Sequence, residues 1–209
     1  MKKEHINSHL SRTIITAIIG AGSLVIFSQT GFSAPVWVTW ETSVGGNGHQ
    51  YLAVPRFAGL TWNMANTLAQ QQNGYLATIT SQAENNFVFG LINSPQFFTS
   101  FNGSGPAIGG FQPVGSPESD GGWSWVTAEA WNYTNWRPGS PDGGTAENNL
   151  HFFSGTLGQS TPAATWNDIN ANDTNIGGYV VEVAPEPSSL TIIGCAILLF
   201  ARRITAKHK

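Results

Sequence analysis

An α+β domain is what this sequence predicts, on three observations. Two helical patterns come early in its long middle segment. Short apolar or branched runs, separated by Gly-, Ser-, Pro- and Asn-rich loops, come later. The two ends of that segment, 51–54 and 179–183, both read as strands suited to pair in one sheet.

In chain order, Tyr51-Leu52-Ala53-Val54 opens as a strand. Thr61 can cap a helix over 62–72 that carries Trp62, Ala65, Leu68 and Ala69 on one face, and Asn73-Gly74 supplies its stop. Residues 75–79 are apolar and branched enough for a strand. Ser81-Gln82-Ala83-Glu84 has capping-box form and opens a second helix through about residue 91. Beyond it, 93–106 and 115–122 read as loops, and 107–111, 123–126, 150–153 and 178–183 as strands. No repeat of fixed period and no low-complexity tract interrupts the pattern.

The two ends of the chain read differently. Lys2, Lys3 and Arg12 precede an uncharged apolar run over 14–27 and then small residues around Gly31, Ser33 and Ala34, the order of a secretory signal peptide. Cleavage is expected after Ser33, with Ala34 the other candidate and an uncleaved anchor the alternative. At the other end Pro185-Glu186-Pro187 precedes a short apolar run over 190–201 and then Arg202, Arg203, Lys207 and Lys209. A helix of that length reaches about 18 Å, short of the ~30 Å hydrocarbon layer, and the basic cluster would sit at the cytoplasmic face. These parts in this order resemble a PEP-CTERM sorting signal. That resemblance implies export by a Gram-negative bacterium, processing by an exosortase-type peptidase and transient membrane association; a plain tail anchor is the alternative. The expected organisation is a signal peptide at 1–33, one domain at 34–184 and a sorting segment at 185–209.

Charge and cysteine content narrow the function of the middle. Of nine basic residues only Arg56 and Arg137 fall within 34–184, against ten of the twelve acids. Such an acidic body repels phosphate backbones and anionic lipid, so nucleic acid is not an expected partner. The single cysteine, Cys195, lies in the sorting segment, so the domain has no disulfide and must be stabilised by packing; all eight tryptophans are available for it. Trp123, Trp125 and Trp136 are expected in the core and Trp131 is the candidate exposed aromatic.

The candidate chemistry is metal binding. Asp142 and Glu147 follow Pro141, and Asn167-Asp168 follow Trp166. These four oxygen-bearing side chains converge on one hard cation only if a loop folds back beside a strand, and Pro141 is where such a loop could be fixed. Calcium takes about 6–8 oxygen ligands, so the set suits it and suits zinc poorly. The simpler alternative is a strand-end turn in which Asn167 and Asp168 bond backbone. Glu118 and Asp120 on a glycine-rich loop are a candidate second ion site or a solvated acidic loop. His49 and His151 lack the companions of a zinc site. No nucleophile elbow, metal-hydrolase histidine pair or phosphate-cradling glycine loop is present, and no enzymatic activity is expected.

Nine motifs occur in the order seen in C-type lectin-like domains: Thr61-Trp62-x-x-Ala65, Gly74-x-Leu76-Ala77-Thr78-Ile79, Ser81-x-x-Glu84, Ile108-Gly109, Trp123-x-Trp125, Asn132-Tyr133-x-Asn135-Trp136, Glu147-Asn148, Trp166-Asn167-Asp168 and Gly178-Tyr179-Val180-Val181-Glu182. The resemblance, over about 48–183, implies two helices and short antiparallel sheets with a long calcium-binding loop region. It further implies a Ca2+ ion that binds sugar hydroxyls directly, and hence a polysaccharide or glycan ligand at the cell surface or in an extracellular matrix. Carried over, the carbohydrate-binding residues are Ser140, Asp142, Glu147, Asn167 and Asp168. The resemblance also implies a cis peptide at Ser140-Pro141, which an X-Pro bond accommodates because trans is favoured there by only about 0.5–1 kcal/mol.

Three departures stand out. Ser140 occupies a position usually held by Glu or Gln, and its side chain is too short to reach the same place without water. The loop over 142–147 is also slightly short, and no particular sugar is assigned. The family's two disulfides fall on Ala69 with Val181 and on Asn149 with Ala171. Each lost bridge forgoes roughly 2–4 kcal/mol, which ion binding could partly offset. A protein-binding or structural module that works without calcium is the other function compatible with Ser140.

Overall fold

The structure, a computed structural model, describes residues 35–99, 102–156 and 159–186. The expected leader and nearly all of the expected sorting segment lie outside these residues. Among the described residues eight strands form one sheet: β1 (Val38–Thr39), β2 (Gln50–Pro55), β3 (Tyr75–Leu76), β4 (Ser104–Phe111), β5 (Ser124–Trp125), β6 (Asn149–Phe153), β7 (Trp166–Ile169) and β8 (Gly178–Val183). The hydrogen-bonded path runs β1-β2-β8-β4-β6-β7, with β3 also pairing β8 and β5 pairing β4. The expected pairing of the domain's two ends is present, antiparallel from Gln50 opposite Val183 to Pro55 opposite Gly178. The short antiparallel sheets are joined through one parallel contact, with Pro106 opposite Gly178 and Ala107 opposite Tyr179.

Both helices start where their caps require. Thr61 Oγ1 accepts from the Met64 amide at 3.1 Å, opening α1 (Trp62–Gln71). Asn73, with φ of 57°, takes the left-handed position that ends it. Gly74 is required for a different reason, because a Cβ there would lie 2.5 Å from the Glu182 carbonyl oxygen. Ser81 caps α2 (Gln82–Ile92) by accepting from the Glu84 amide at 3.2 Å. The capping box is not closed on Ser81 itself, since the Glu84 carboxylate accepts instead from the amide and hydroxyl of Thr80, at 2.7 and 2.9 Å.

Alternation along the central strands sends side chains to opposite faces of the sheet. Tyr51, Ile108 and Val180 join Val88 and Ile92 of α2 in one core, with Trp125, Phe152 and Trp166. Leu52, Ala107 and Val181 join Trp62, Ala65 and Ala69 of α1 in the other. Ala69 and Val181, where the family's first disulfide would lie, are both fully buried in this second core. Each large aliphatic side chain so buried contributes about 1.5–3 kcal/mol.

Several expected boundaries shift. β3 stops at Leu76, because Ala77 already splits its bonds, donating to Val180 O and accepting from Gly109 N. β4 begins at Ser104 inside the expected loop, and Pro95–Phe97 form a 3-10 turn there. β1 and β7 were not anticipated as strands.

Candidate functional site

The site lies where a loop, residues 137–147, is laid along β7. Trp166 donates its amide to Asn135 O and accepts at its carbonyl from Arg137 N, both at 2.9 Å, so the chain enters the loop pinned beside Asn167. Pro138 and Gly139 then form a turn closed by Ser140 N donating to Arg137 O at 3.1 Å, with Gly139 at φ of 92° as a type II turn needs. The Ser140-Pro141 peptide is cis. Asp168 holds the next residues: its Oδ1 accepts from Asp142 N at 3.0 Å and its Oδ2 from Gly143 N at 2.8 Å. A 3-10 turn, Gly144–Ala146, brings Glu147 back, and Asn170 Nδ2 secures it by donating to Ala146 O at 2.8 Å.

This folding-back gathers Asp142, Glu147 and Asp168, each with a carboxylate oxygen within 4.8 Å of the others. Asn167 adjoins them; its Oδ1 accepts from Ser140 Oγ and from Arg137 Nε, the latter at 3.1 Å, and its Nδ2 donates to Asp168 O at 2.8 Å. All five sequence-expected residues therefore meet. Ser140 reaches the group through Asn167 directly, and its hydroxyl also lies 3.4 Å from Asp142 Oδ1.

The electrostatics fit a cation. Burial is the largest cause raising the Glu147 pKa, and the charges of Asp168, Asp142 and Asp173 add to it. Burial likewise raises that of Asp168, offset in part by the amides of Asp142 and Gly143 that bond its charged form. Carboxylate and amide oxygens with no sulfur or imidazole among them make a hard donor set, which matches calcium rather than zinc.

Sequence reasoning did not single out Arg137. Its Nη2 donates to Asp142 Oδ2 at 3.1 Å and its Cζ lies 4.6 Å from the centre of the Phe153 ring. The available signal was its being one of only two bases in the domain, three residues ahead of Ser140. A second acidic group also forms inside the fold. The Tyr51 hydroxyl lies 2.7 Å from Glu84 Oε1 and 3.1 Å from Glu182 Oε1, and Glu182 further bonds His49 Nδ1 and Thr78 N. This network ties α2 and the N-terminal strands to β8.

Of the tryptophans, Trp123 and Trp125 are buried as expected. Trp131 is not a free exposed aromatic: it is half-buried against the core, its ring 4.5 Å from that of Trp125 and 5.9 Å from that of Trp123. Trp136 is also half-buried, 5.0 Å from Trp123. Trp166 donates its indole N–H to Asn85 Oδ1 at 2.9 Å, tying β7 to α2. Glu118 and Asp120 are exposed.

Known proteins resemble this chain in sequence and in fold. The family model of the lectin C-type domain matches residues 58–176. A perlucin-like protein of Mytilus galloprovincialis is 28% identical over 120 residues, covering 57% of this chain and 68% of that protein. C-type lectin domain family 10 member A of Homo sapiens is 28% identical over 150 residues; the match covers 68% of this chain but spans only 38% of the human protein. Among solved structures, the cow C-type carbohydrate-recognition domain of CD23, in the presence of a GlcNAc2Man3 oligosaccharide, has a TM-score of 0.50 at 22% identity, covering 72% of this chain and 95% of that one. With more than half of its length matched by the family model and its helices, sheet and loop in the family's arrangement, this chain belongs to the C-type lectin domain family.

Proposed function

We propose that the domain is a calcium-dependent carbohydrate-binding module, exported and acting at the cell surface or in extracellular polysaccharide. The observation that carries this reading is the convergence of Asp142, Glu147 and Asp168 to within 4.8 Å of one another beside Asn167. Those four side chains and the Asp168 carbonyl are the groups that would hold the ion. About five protein oxygens, against the 6–8 that calcium takes, leave about two positions. Calcium bound there would supply those positions to neighbouring hydroxyls of a sugar. The chain's own contribution is to orient the ligand: Asp142 and Glu147 also accept hydrogen bonds from sugar hydroxyls, and those bonds are charge-assisted. One sugar binds weakly by such means, so useful retention depends on repeated ligands or clustered copies.

Export through a leader at 1–33, and processing of a tail at 185–209 by an exosortase-type peptidase, belong to the same reading and rest on the order of parts at the two ends of the chain. A glycan array probed in calcium and again in chelator tests the binding function. Calcium-dependent retention on a defined set of sugars is expected, and identical profiles in the two conditions refute it.

A second reading is favoured by Ser140, whose hydroxyl bonds Asn167 Oδ1, a proposed ligand atom. In it the domain is a protein-binding or structural module of the matrix that works without calcium. Thermal unfolding separates the two, since the calcium-independent module shows no rise in Tm on addition of the ion.

A further inference from the structure

We infer that Arg137 is an internal competitor for the cation site: its guanidinium holds Asn167 Oδ1 and Asp142 Oδ2 until a divalent ion displaces it, so that ion uptake exchanges one cation for another. The inference rests on reading the acidic group as a calcium site.

The placement of Arg137 is built into the backbone. Its amide donates to Trp166 O at 2.9 Å and its carbonyl accepts from Ser140 N at 3.1 Å, which sets its Cα beside Asn167 at the mouth of the loop. From there the forked head addresses two different residues, Nε to Asn167 at 3.1 Å and Nη2 to Asp142 at 3.1 Å. Both acceptors belong to side chains that the ion would need. The Phe153 ring, 4.6 Å from Cζ, supports the guanidinium from below.

Lone-pair counting makes the competition explicit. An amide carbonyl oxygen has two lone pairs. Asn167 Oδ1 accepts from Arg137 Nε and also from Ser140 Oγ, so both are engaged. An ion can use that oxygen only after one donor leaves. Ser140 can free one lone pair by turning its hydroxyl away, but the Arg137 guanidinium would then still stand against the same oxygen and against Asp142, its positive charge facing the incoming ion.

The charge balance explains why such a residue would be there. Three carboxylates gathered within 4.8 Å repel one another, and of the two bases in residues 34–184 Arg137 is the one beside them. Its guanidinium therefore offsets part of that repulsion and keeps the loop assembled in the ion-free protein. The same contacts weaken ion binding, because a positive charge held on two of the ligand residues opposes a second cation arriving beside it.

Calcium titration by isothermal calorimetry, and thermal unfolding in chelator and in saturating calcium, test this on the wild type, Arg137→Gln and Arg137→Lys. The Gln variant is expected to bind calcium up to about fivefold more tightly, the scale of a partly exposed ion pair. It should unfold below the wild type in chelator and together with it in saturating calcium. The Lys variant keeps the charge but not the fork, so its affinity should fall between the two; it carries the test if the Gln variant fails to fold. A wild type that binds calcium, with variants no tighter, overturns the exchange and leaves the glycan reading standing. Tighter calcium binding by the variants, with no retention of glycan by any protein, upholds the exchange and removes the glycan reading. Calcium bound by the Gln variant but not by the wild type supports the exchange, and calcium bound by none of the three overturns both.

Discussion

Gly143→Ala is the most discriminating single change at the site, because its effect comes from one contact. Gly143 has φ of −86°, a conformation open to alanine, so no backbone strain is added. The added Cβ, however, would lie 2.3 Å from Glu147 Cβ, 2.4 Å from Cγ and 2.6 Å from Oε2. Carbon atoms rest at about 3.5–4.0 Å, so the two groups must separate by more than about 1 Å. Glu147 follows the 3-10 turn and is half-buried, so it is the group that moves, out of reach of Asp142 and Asp168. Calcium–oxygen bonds span only about 2.3–2.6 Å, and a displacement of that size removes one of three charged ligands. Changes to groups that merely position a ligand usually cost about 10–100-fold in metal affinity, and that loss is expected here. Isothermal calorimetry measures it, while near-UV circular dichroism in chelator should match the wild type because the altered contact lies in the loop and not in either core. Wild-type calcium affinity in a folded Gly143→Ala protein would falsify the placement of Glu147 among the ligands.

Other consequences are equally open to measurement. Asp142→Ala and Asn167→Ala should each abolish calcium-dependent retention on polysaccharide in a pull-down while the fold persists in high calcium; wild-type retention by both removes the coordination model. Because burial raises the pKa values of Glu147 and Asp168, these groups favour the ion-free fold at low pH, and that contribution is lost as pH rises through their raised values. Calcium needs them deprotonated, so its affinity should fall as pH drops through the same window just above the ordinary carboxylate range; calorimetry in buffers of different ionisation enthalpy should register proton release there, and none refutes the assignment. Burial pushes the His151 pKa down to about 4. From an unfolded value of about 6.5, its neutral form contributes stability that is full above pH 6.5 and is lost by about pH 4, a change of about 3 kcal/mol. Chemical unfolding in chelator should show His151→Leu less acid-sensitive than the wild type by about that amount, and parallel stability–pH curves would remove the effect.

Much of this architecture can be read from local signals. Thr61 and Ser81 mark the helix starts because a short hydroxyl side chain there meets an amide three residues on. The acids of the site are visible because their side-chain chemistry does not depend on where the chain places them. What escaped local reading depends on contacts between distant segments. Trp166 bridges to Trp136, thirty residues earlier, and that pairing, with the Arg137 amide on Trp166 O, brings Arg137 beside Asn167. Ser104-Gly105-Pro106 looks like a loop by composition, yet it begins β4 because Ser104 pairs with Phe153 of β6 and Pro106 with Gly178 of β8. Trp131, the candidate exposed aromatic, is covered by the rings of Trp123 and Trp125, which lie beside and on the β5 strand and are not its neighbours in sequence.

The position of β8 bears on how the chain acquires this shape. Among the described residues it is the last strand in sequence, but it lies between β2 and β4, so neither half of the sheet is complete without it. Gln50 finds Val183 only across nearly the whole domain, a closure of high contact order that is slow to form. On the proposed export route, a chain threading through a membrane leader-first would therefore stay pliable until β8 emerged, and shortening it at residue 177 should leave a species unable to complete its sheet, vulnerable to proteases and prone to clump.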